Sequence, residues 1–427
     1  MEHRAEIEKL QLQRLQELIK ELRQGNRFYQ KKLKEAGVNE RVSSLEVFSK
    51  KMPFTTKMDV VWDREEVPPY GTNLTYPLDQ YSRLCQSSGT TSTPLAWNDT
   101  KESWSVMLDC WDEVYRAAEV TKEDVIFFAF SFGPFLGFWT AFESATRAGI
   151  RSIPGGGMSS VGRLQAMGMH RATVLCCTPT YALRLGEVLA AEGGVEKFEG
   201  LSINKVIVAG EPGGSIPQVR ERLEKLWNGA RVIDHHGMTE VGPVSYERLD
   251  CPMELCIIEE AYYAEVIDRE TLNEVKEGEK GELVLTTLRR TACPLLRFRT
   301  GDFVKKGYFL DEHNKKPRNI MCLEGGVLGR VDEMVVIRGV NIYPTAIERI
   351  IRNFPEVMDY QVIHTIQDSM DELEIAIEAV EGKGDDALKG KIELALSNAF
   401  TLRIPIKLVE PDSLPKFDFK AHRWVKG

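Results

Sequence analysis

The chain has 427 residues, 43% of them apolar and 28% charged, enough to bury the cores of two or three domains. A net charge of −9 argues against nucleic acid as the main partner, so an anionic ligand has to be met by local donors and cations. No run approaches the ~20 apolar residues of a membrane span, the opening Met1-Glu2-His3-Arg4 lacks a signal-type apolar region, and the eight cysteines are scattered; the expectation is a cytoplasmic protein with reduced thiols and no membrane partner.

Leu10, Leu15, Leu18, Ile19 and Leu22 recur at helical spacing among charges, predicting one or two amphipathic helices over residues 5–35. The run Ser87-Ser88-Gly89-Thr90-Thr91-Ser92-Thr93-Pro94 combines hydroxyl donors with a glycine that lets backbone N–H groups approach an anion, so it reads as a phosphate cradle. It lacks the lysine of a Walker A loop. Asn98 or Asp99 is placed to cap a helix over 101–115. Apolar runs at 125–130, 172–177 and 205–209 alternate with helical patterns, which predicts a parallel sheet covered on both faces. Ligands of such sheets bind at the carboxyl ends of the strands, here Ser131-Phe132-Gly133-Pro134, Thr178-Pro179-Thr180 and Gly210-Glu211-Pro212-Gly213-Gly214. Shorter alternating strands follow at 262–267, 281–287 and 302–306, with a turn at 277–281. Beyond Arg330 the order is strand 333–338, helix 345–353, strands 358–365 and 373–379, helix 385–401 and strand 406–408. The expected architecture is α/β. A large N-terminal domain, 1–330, holds parallel sheets flanked by helices plus a β-rich subdomain, and a small α+β domain occupies 331–427.

Three later segments carry chemistry: Asp234-His235-His236-Gly237-Met238-Thr239-Glu240, then Pro294-Leu295-Leu296-Arg297-Phe298-Arg299-Thr300-Gly301-Asp302, then Gly329-Arg330-Val331-Asp332-Glu333-Met334 running into Arg338-Gly339-Val340-Asn341-Ile342-Tyr343-Pro344. With the phosphate cradle and a lysine near the C-terminus, this order resembles the adenylate-forming superfamily, and within it the phenylacetate–coenzyme A ligase family. Phe28-Tyr29, Leu45-Glu46-Val47-Phe48 and Pro53-Phe54-Thr55-Thr56-Lys57 resemble that family's opening, so the similarity covers nearly the whole chain.

The resemblance implies an ATP-dependent carboxylate–coenzyme A ligase acting on an aromatic or other small carboxylic acid. A carboxylate does not react with a thiol at neutral pH; it first attacks the α-phosphorus of ATP, pyrophosphate leaves, and the acyl-adenylate is then open to the thiol. Charge gathers on phosphate oxygens, so catalysis rests on positioning and electrostatic stabilisation. The implied roles are these. Ser88, Gly89, Thr90 and Thr91 cradle phosphate; Thr239 and Glu240 stand at a helix start, Glu240 holding Mg²⁺; Gly210, Glu211, Pro212, Asp234, His235 and His236 line the nucleotide. Asp302 accepts from the ribose hydroxyls, Arg330 reaches the nucleotide, and Lys420 is the catalytic cation, with Lys416 as its competitor. Phe132, Phe135, Phe138, Gly213, His235 and His236 line the acyl pocket. Asp332 is the hinge of a mobile C-terminal domain, whose Arg338 and Gly339 line the pantetheine path of coenzyme A. A homodimer is also implied.

This sequence departs from the family pattern in several places. Ser92-Thr93 replaces a Gly-Lys pair, a loss that Lys57 or Lys101 can offset; His236 replaces a tyrosine; Phe419 replaces a glycine. Some relatives carry structural zinc, and Cys251, Cys256 and Cys322 match three of its ligands, with Glu324 where the fourth cysteine stands. Two other readings stay open: an adenylating enzyme that passes the acyl group to a carrier-protein thiol or an amine, and a nucleotide-binding protein without turnover.

Overall fold

A computed structural model describes residues 2–87, 95–311, 318–337, 340–367, 370–417 and 421–427. The chain opens on helices Glu2–Gly25 and Arg27–Glu35. The break between them is set by Asn26, whose side chain accepts from Tyr29 N and caps the second helix. Leu15, Leu18, Ile19 and Leu22 are fully buried against Tyr263, Leu288 and Leu296, so the predicted stripe is a core face.

A five-stranded parallel sheet follows, in the order Arg151–Pro154, Val125–Phe128, Val174–Cys177, Lys205–Ala209, Arg231–His235. Side chains alternate between its faces: Ile126 and Phe128 enter one core, Val125 and Phe127 the other. The strands at 151–154 and 231–235 escape the sequence reading because they are short and begin with arginine. Helix Lys101–Ala117 matches expectation, but its cap does not: Thr100 takes that place, accepting from Ser103 N, while Asn98 and Asp99 lie in strand Ala96–Thr100.

The β-rich part is a six-stranded antiparallel sheet, ordered Ser245–Arg248, Cys251–Ile257, Arg318–Arg330, Phe298–Asp311, Lys280–Thr287, Tyr262–Ile267. Phe298–Asp311 is far longer than the predicted 302–306 and places Asp302 opposite Arg330. The C-terminal part has a core of its own, including Ile347, Val362, Ile375 and Ile392. Its four-stranded sheet is ordered Ile406–Val409, Met370–Ala379, Val357–Gln367, Trp424–Lys426, with helices Pro344–Ile351 and Asp386–Phe400. The last strand pairs Trp424 with Val362 and was absent from the expected pattern.

The family-like opening segments meet the later ones in space. Tyr29 Oη accepts from Leu296 N at 2.8 Å and lies 3.2 Å from Thr55 Oγ1. Thr55 N donates to Arg297 O at 3.0 Å and Arg299 N to Thr55 O at 2.9 Å, while the Arg297 guanidinium sits 4.0 Å over the Phe54 ring. A buried Arg297–Glu265 pair, with donation to the carbonyls of Ser49 and Met52, closes this seam.

Candidate active site

Asp302 is the centre of the site. It is 3% exposed, its Oδ1 accepts from Arg330 Nη1 at 2.9 Å and its Oδ2 lies 3.0 Å from His236 Nε2. Burial pushes its pKa up, but the hydrogen bond and charge of His236 and the Arg330 guanidinium outweigh that and hold the carboxyl below its usual range. His236 follows the last strand of the parallel sheet, so the residue joins the two sheets. Its Nδ1 is buried and has no partner among the described residues, leaving one polar atom for a ligand to satisfy.

Thr239 and Glu240 do not start a helix. They form the turn between strands Gly237–Met238 and Gly242–Pro243, whose close pairing leaves a Cβ at Gly237 only 3.0 Å from the Gly242 carbonyl. Arg290 locks this turn, donating from Nη1 to the carbonyls of Thr239 at 3.0 Å and Glu240 at 2.9 Å. Asp99 in turn holds Arg290 in a two-pronged pair, 2.8 and 2.6 Å, with Asp99 0% and Arg290 2% exposed. Sequence reasoning offers Asp99 only as a helix cap and gives Arg290 no role, since nothing marks an arginine just past strand Lys280–Thr287 as buried. The Glu240 carboxylate is 3.7 Å from Lys57 Nζ. A single carboxylate beside phosphate oxygens suits Mg²⁺, which is rarely caged by protein alone.

Aromatic rings crowd the end of the first parallel strand. Phe130 stacks on Phe138 at 3.7 Å, and Phe132 contacts Phe130, Trp139 and Phe142 at 4.8, 4.9 and 5.3 Å. Phe132 has φ +52°, a left-handed conformation uncommon for a bulky side chain. Phe135 precedes helix Leu136–Arg147 and meets Gly133, where a Cβ would lie 3.0 Å from its ring. His235 packs on Trp111 at 4.4 Å and its Nδ1 lies 2.5 Å from Ser245 O. Burial lowers its pKa to about 3, so the imidazole is neutral.

The loop after strand Lys205–Ala209 packs closely on the sheet. Gly210 has φ +94°, and a Cβ on Gly213 would lie 2.4 Å from Pro179. Pro212 is exposed beside them. Two expected nucleotide contacts are occupied differently. Asp234 Oδ2 accepts from Ser215 Oγ at 2.5 Å and Oδ1 from His235 N at 3.0 Å. Glu211 accepts from Thr180 N at 2.8 Å and Ala421 N at 3.0 Å.

Ser88, Gly89, Thr90, Thr91, Arg338, Gly339 and Lys420 lie outside the described residues, as does the side chain of Asp332, whose backbone belongs to the 3₁₀ turn Val331–Glu333. Ser87 and Leu95 pair at the two ends of the 88–94 segment, Ser87 N donating to Leu95 O at 3.0 Å. Lys416 is engaged: its Nζ donates to the fully buried Glu378 at 2.9 Å and lies 3.3 Å from Asp412.

The zinc expectation finds no support. Cys256 and Cys322 are cross-strand neighbours, but Cys322 Sγ donates to Glu254 Oε2 at 3.4 Å and Glu324 pairs with Lys305. Burial, and after it the side chain of Glu254, raises the Cys251 thiol to about 12, and burial raises that of Cys256 to about 12. The described residues include no group of three or more His, Cys, Asp or Glu placed to hold a metal ion.

The fold is that of an adenylate-forming enzyme. The family model described as AMP-binding enzyme matches residues 17–288, and that of the AMP-binding enzyme C-terminal domain matches 339–426. Phenylacetate–coenzyme A ligase of Thermus thermophilus is 31% identical over 382 residues, 88% of this chain and 82% of that protein; the Escherichia coli enzyme of the same name is 30% identical over 387 residues, 88% and 83%. A structure of 2-hydroxyisobutyryl-CoA ligase in the postadenylation state with 2-HIB-AMP is 26% identical, with a TM-score of 0.90 over 99% of this chain and 90% of that one. For that ligase in the thioesterification state, 27% identical over the same shares, the TM-score is 0.72. The chain belongs to the AMP-binding enzymes as a phenylacetate–coenzyme A ligase-like member, an AMP-forming acid–thiol ligase.

Proposed function

We propose that this ligase adenylates an aromatic carboxylic acid of the arylacetic type and transfers the acyl group to coenzyme A, releasing AMP and pyrophosphate. The observation that carries the nucleotide half is the Asp302 carboxylate held between Arg330 and His236, an anionic acceptor suited to ribose hydroxyls. The orphaned Nδ1 of His236 then faces the base or the acyl group. Glu240, on the turn fixed by Arg290, would hold Mg²⁺, which would offset phosphate charge, and Lys57, 3.7 Å from Glu240, supplies a positive charge that offsets the lysine lost with Ser92-Thr93. Ser88, Gly89, Thr90 and Thr91 cradle phosphate. Lys420 stabilises the α-phosphate charge; Lys416, bound to Glu378, is not free for that role. Phe132, Phe135, Phe138, Gly213 and His235 form the acyl pocket. The domain boundary falls at 330/331, with Asp332 the hinge and Arg338 and Gly339 beside the path of coenzyme A.

A second reading, a short hydroxy acid as substrate, is favoured by the neutral His235 ring at the pocket, whose unprotonated nitrogen can accept from a hydroxyl. Pyrophosphate release with ATP and Mg²⁺ across aryl, arylacetic and short hydroxy acids, each with and without coenzyme A, tests both. Turnover with an arylacetic acid that requires coenzyme A is expected. Turnover confined to hydroxy acids supports the second reading, and release independent of coenzyme A points to a carrier-protein or amine acceptor.

A further inference from the structure

Glu211 stands in the loop at the end of strand Lys205–Ala209, inside a motif whose resemblance points to the nucleotide. Its carboxylate turns elsewhere. Oε1 accepts from Thr180 N, in the first turn of helix Pro179–Ala191, and Oε2 accepts from Ala421 N at 3.0 Å. Thr180 belongs to the parallel-sheet core, whereas Ala421 is the residue after Lys420. The chain around 421 is otherwise anchored within the C-terminal part: Lys416 on Glu378 upstream, Arg423 on Asp359 at 2.9 Å and near Glu348 at 3.7 Å downstream. Among the described residues the two parts also meet near 330, where Tyr343 stacks on Phe303 at 5.2 Å and Thr345 donates to Leu328 O, and beside Thr180, where Arg184 and Glu187 share a small cavity with Arg352, Asp359 and Arg423. Glu211 therefore joins the two parts far along the sequence from that turn, at the peptide bond that follows the lysine.

We propose that Glu211 is a positioning residue, a latch whose carboxylate holds the Ala421 amide and so ties the C-terminal part to the core for the adenylation step. When the C-terminal part rotates for thioester formation, Ala421 leaves and Glu211 keeps its bond to Thr180 N, so the core loop does not change. The higher structural similarity to the postadenylation state than to the thioesterification state of 2-hydroxyisobutyryl-CoA ligase agrees with a latched arrangement. The inference rests on the two-step reading above.

Glu211→Ala and Ala421→Pro each remove one partner of the bond. Each is expected to slow acid-dependent ATP–pyrophosphate exchange at saturating ATP by about tenfold or more, the loss a charged hydrogen bond gives. The KM for ATP and the rate of thioester formation from supplied acyl-adenylate stay near those of the unaltered enzyme. The double variant loses no more than either single one, because both break the same contact. A rise in the KM for ATP with kcat unchanged, or equal loss in both half-reactions, overturns the latch. A readout free of turnover separates this from failure of the two-step reading: fluorophores on Met169→Cys and Leu394→Cys, exposed positions on the two parts, report their separation. Glu211→Ala is expected to shift that distance distribution, and an unchanged distribution contradicts the proposal.

Discussion

His235 is one buried group whose protonation couples to folding. Its imidazole is neutral when folded, with a pKa lowered by burial to about 3, while in the unfolded chain it takes a proton near its ordinary 6.5. Between those values the unfolded state holds the extra proton at this group, so the contribution of His235 to stability rises with pH through this window and is lost as the solution is acidified from about 6.5 toward 3. Urea unfolding of His235→Asn is expected to show a shallower acid loss than the parent; an identical pH profile would mean His235 is not the group responsible. Asp302 has the opposite chemistry, a carboxyl held charged by His236 and Arg330. Asp302→Asn keeps the shape and loses the charge, and is expected to raise the KM for ATP by about tenfold or more, the cost of a charged acceptor; an unchanged KM would remove Asp302 from the nucleotide site.

At the scale of elements, the turn carrying Thr239 and Glu240 is fixed from outside. Two glycine-flanked strands of two residues each cannot hold a turn rigidly, and the Arg290–Asp99 pair supplies what they lack. Removing one partner of a buried pair leaves an uncompensated charge, so Arg290→Met is expected to cost about 3–5 kcal/mol of stability. Because the turn loses its two carbonyl anchors, pyrophosphate release should fall as well; denaturant melts and initial rates check both, and a near-neutral variant would contradict this account. The elements themselves were legible to different degrees. Long helices and the hydrophobic strands of the parallel sheet follow from periodicity. Thr239 and Glu240 have helix-start chemistry, yet the pairing of Gly237 with Pro243 makes the segment a hairpin. Strand Trp424–Lys426 has no sequence signal, since three residues carry no period, and its place is set by the register with Val362.

At the scale of the whole molecule, the sequence motifs announced which segments would meet. Asp302, His236 and Arg330 come from three separate motifs and touch. What the motifs did not carry is the layer that supports them: Arg290 and Asp99 behind the turn, Trp111 behind His235, Glu211 between core and C-terminal part. These depend on which surfaces pack together, a tertiary fact with no local signature, and they explain why Asp234 and Glu211 hold structural partners where a nucleotide contact was expected. The cysteines show the reverse case, a resemblance to zinc-bearing relatives and a geometry in which Cys322 donates to Glu254. In the proposed function one site runs two half-reactions, with Lys420 acting in only the first. Lys420→Ala, assayed for acid-dependent ATP–pyrophosphate exchange and separately for thioester formation from supplied acyl-adenylate, tests it most directly. Exchange is expected to be abolished and thioester formation largely retained; equal loss of both, or retention of exchange, overturns the role of Lys420 as the adenylation cation.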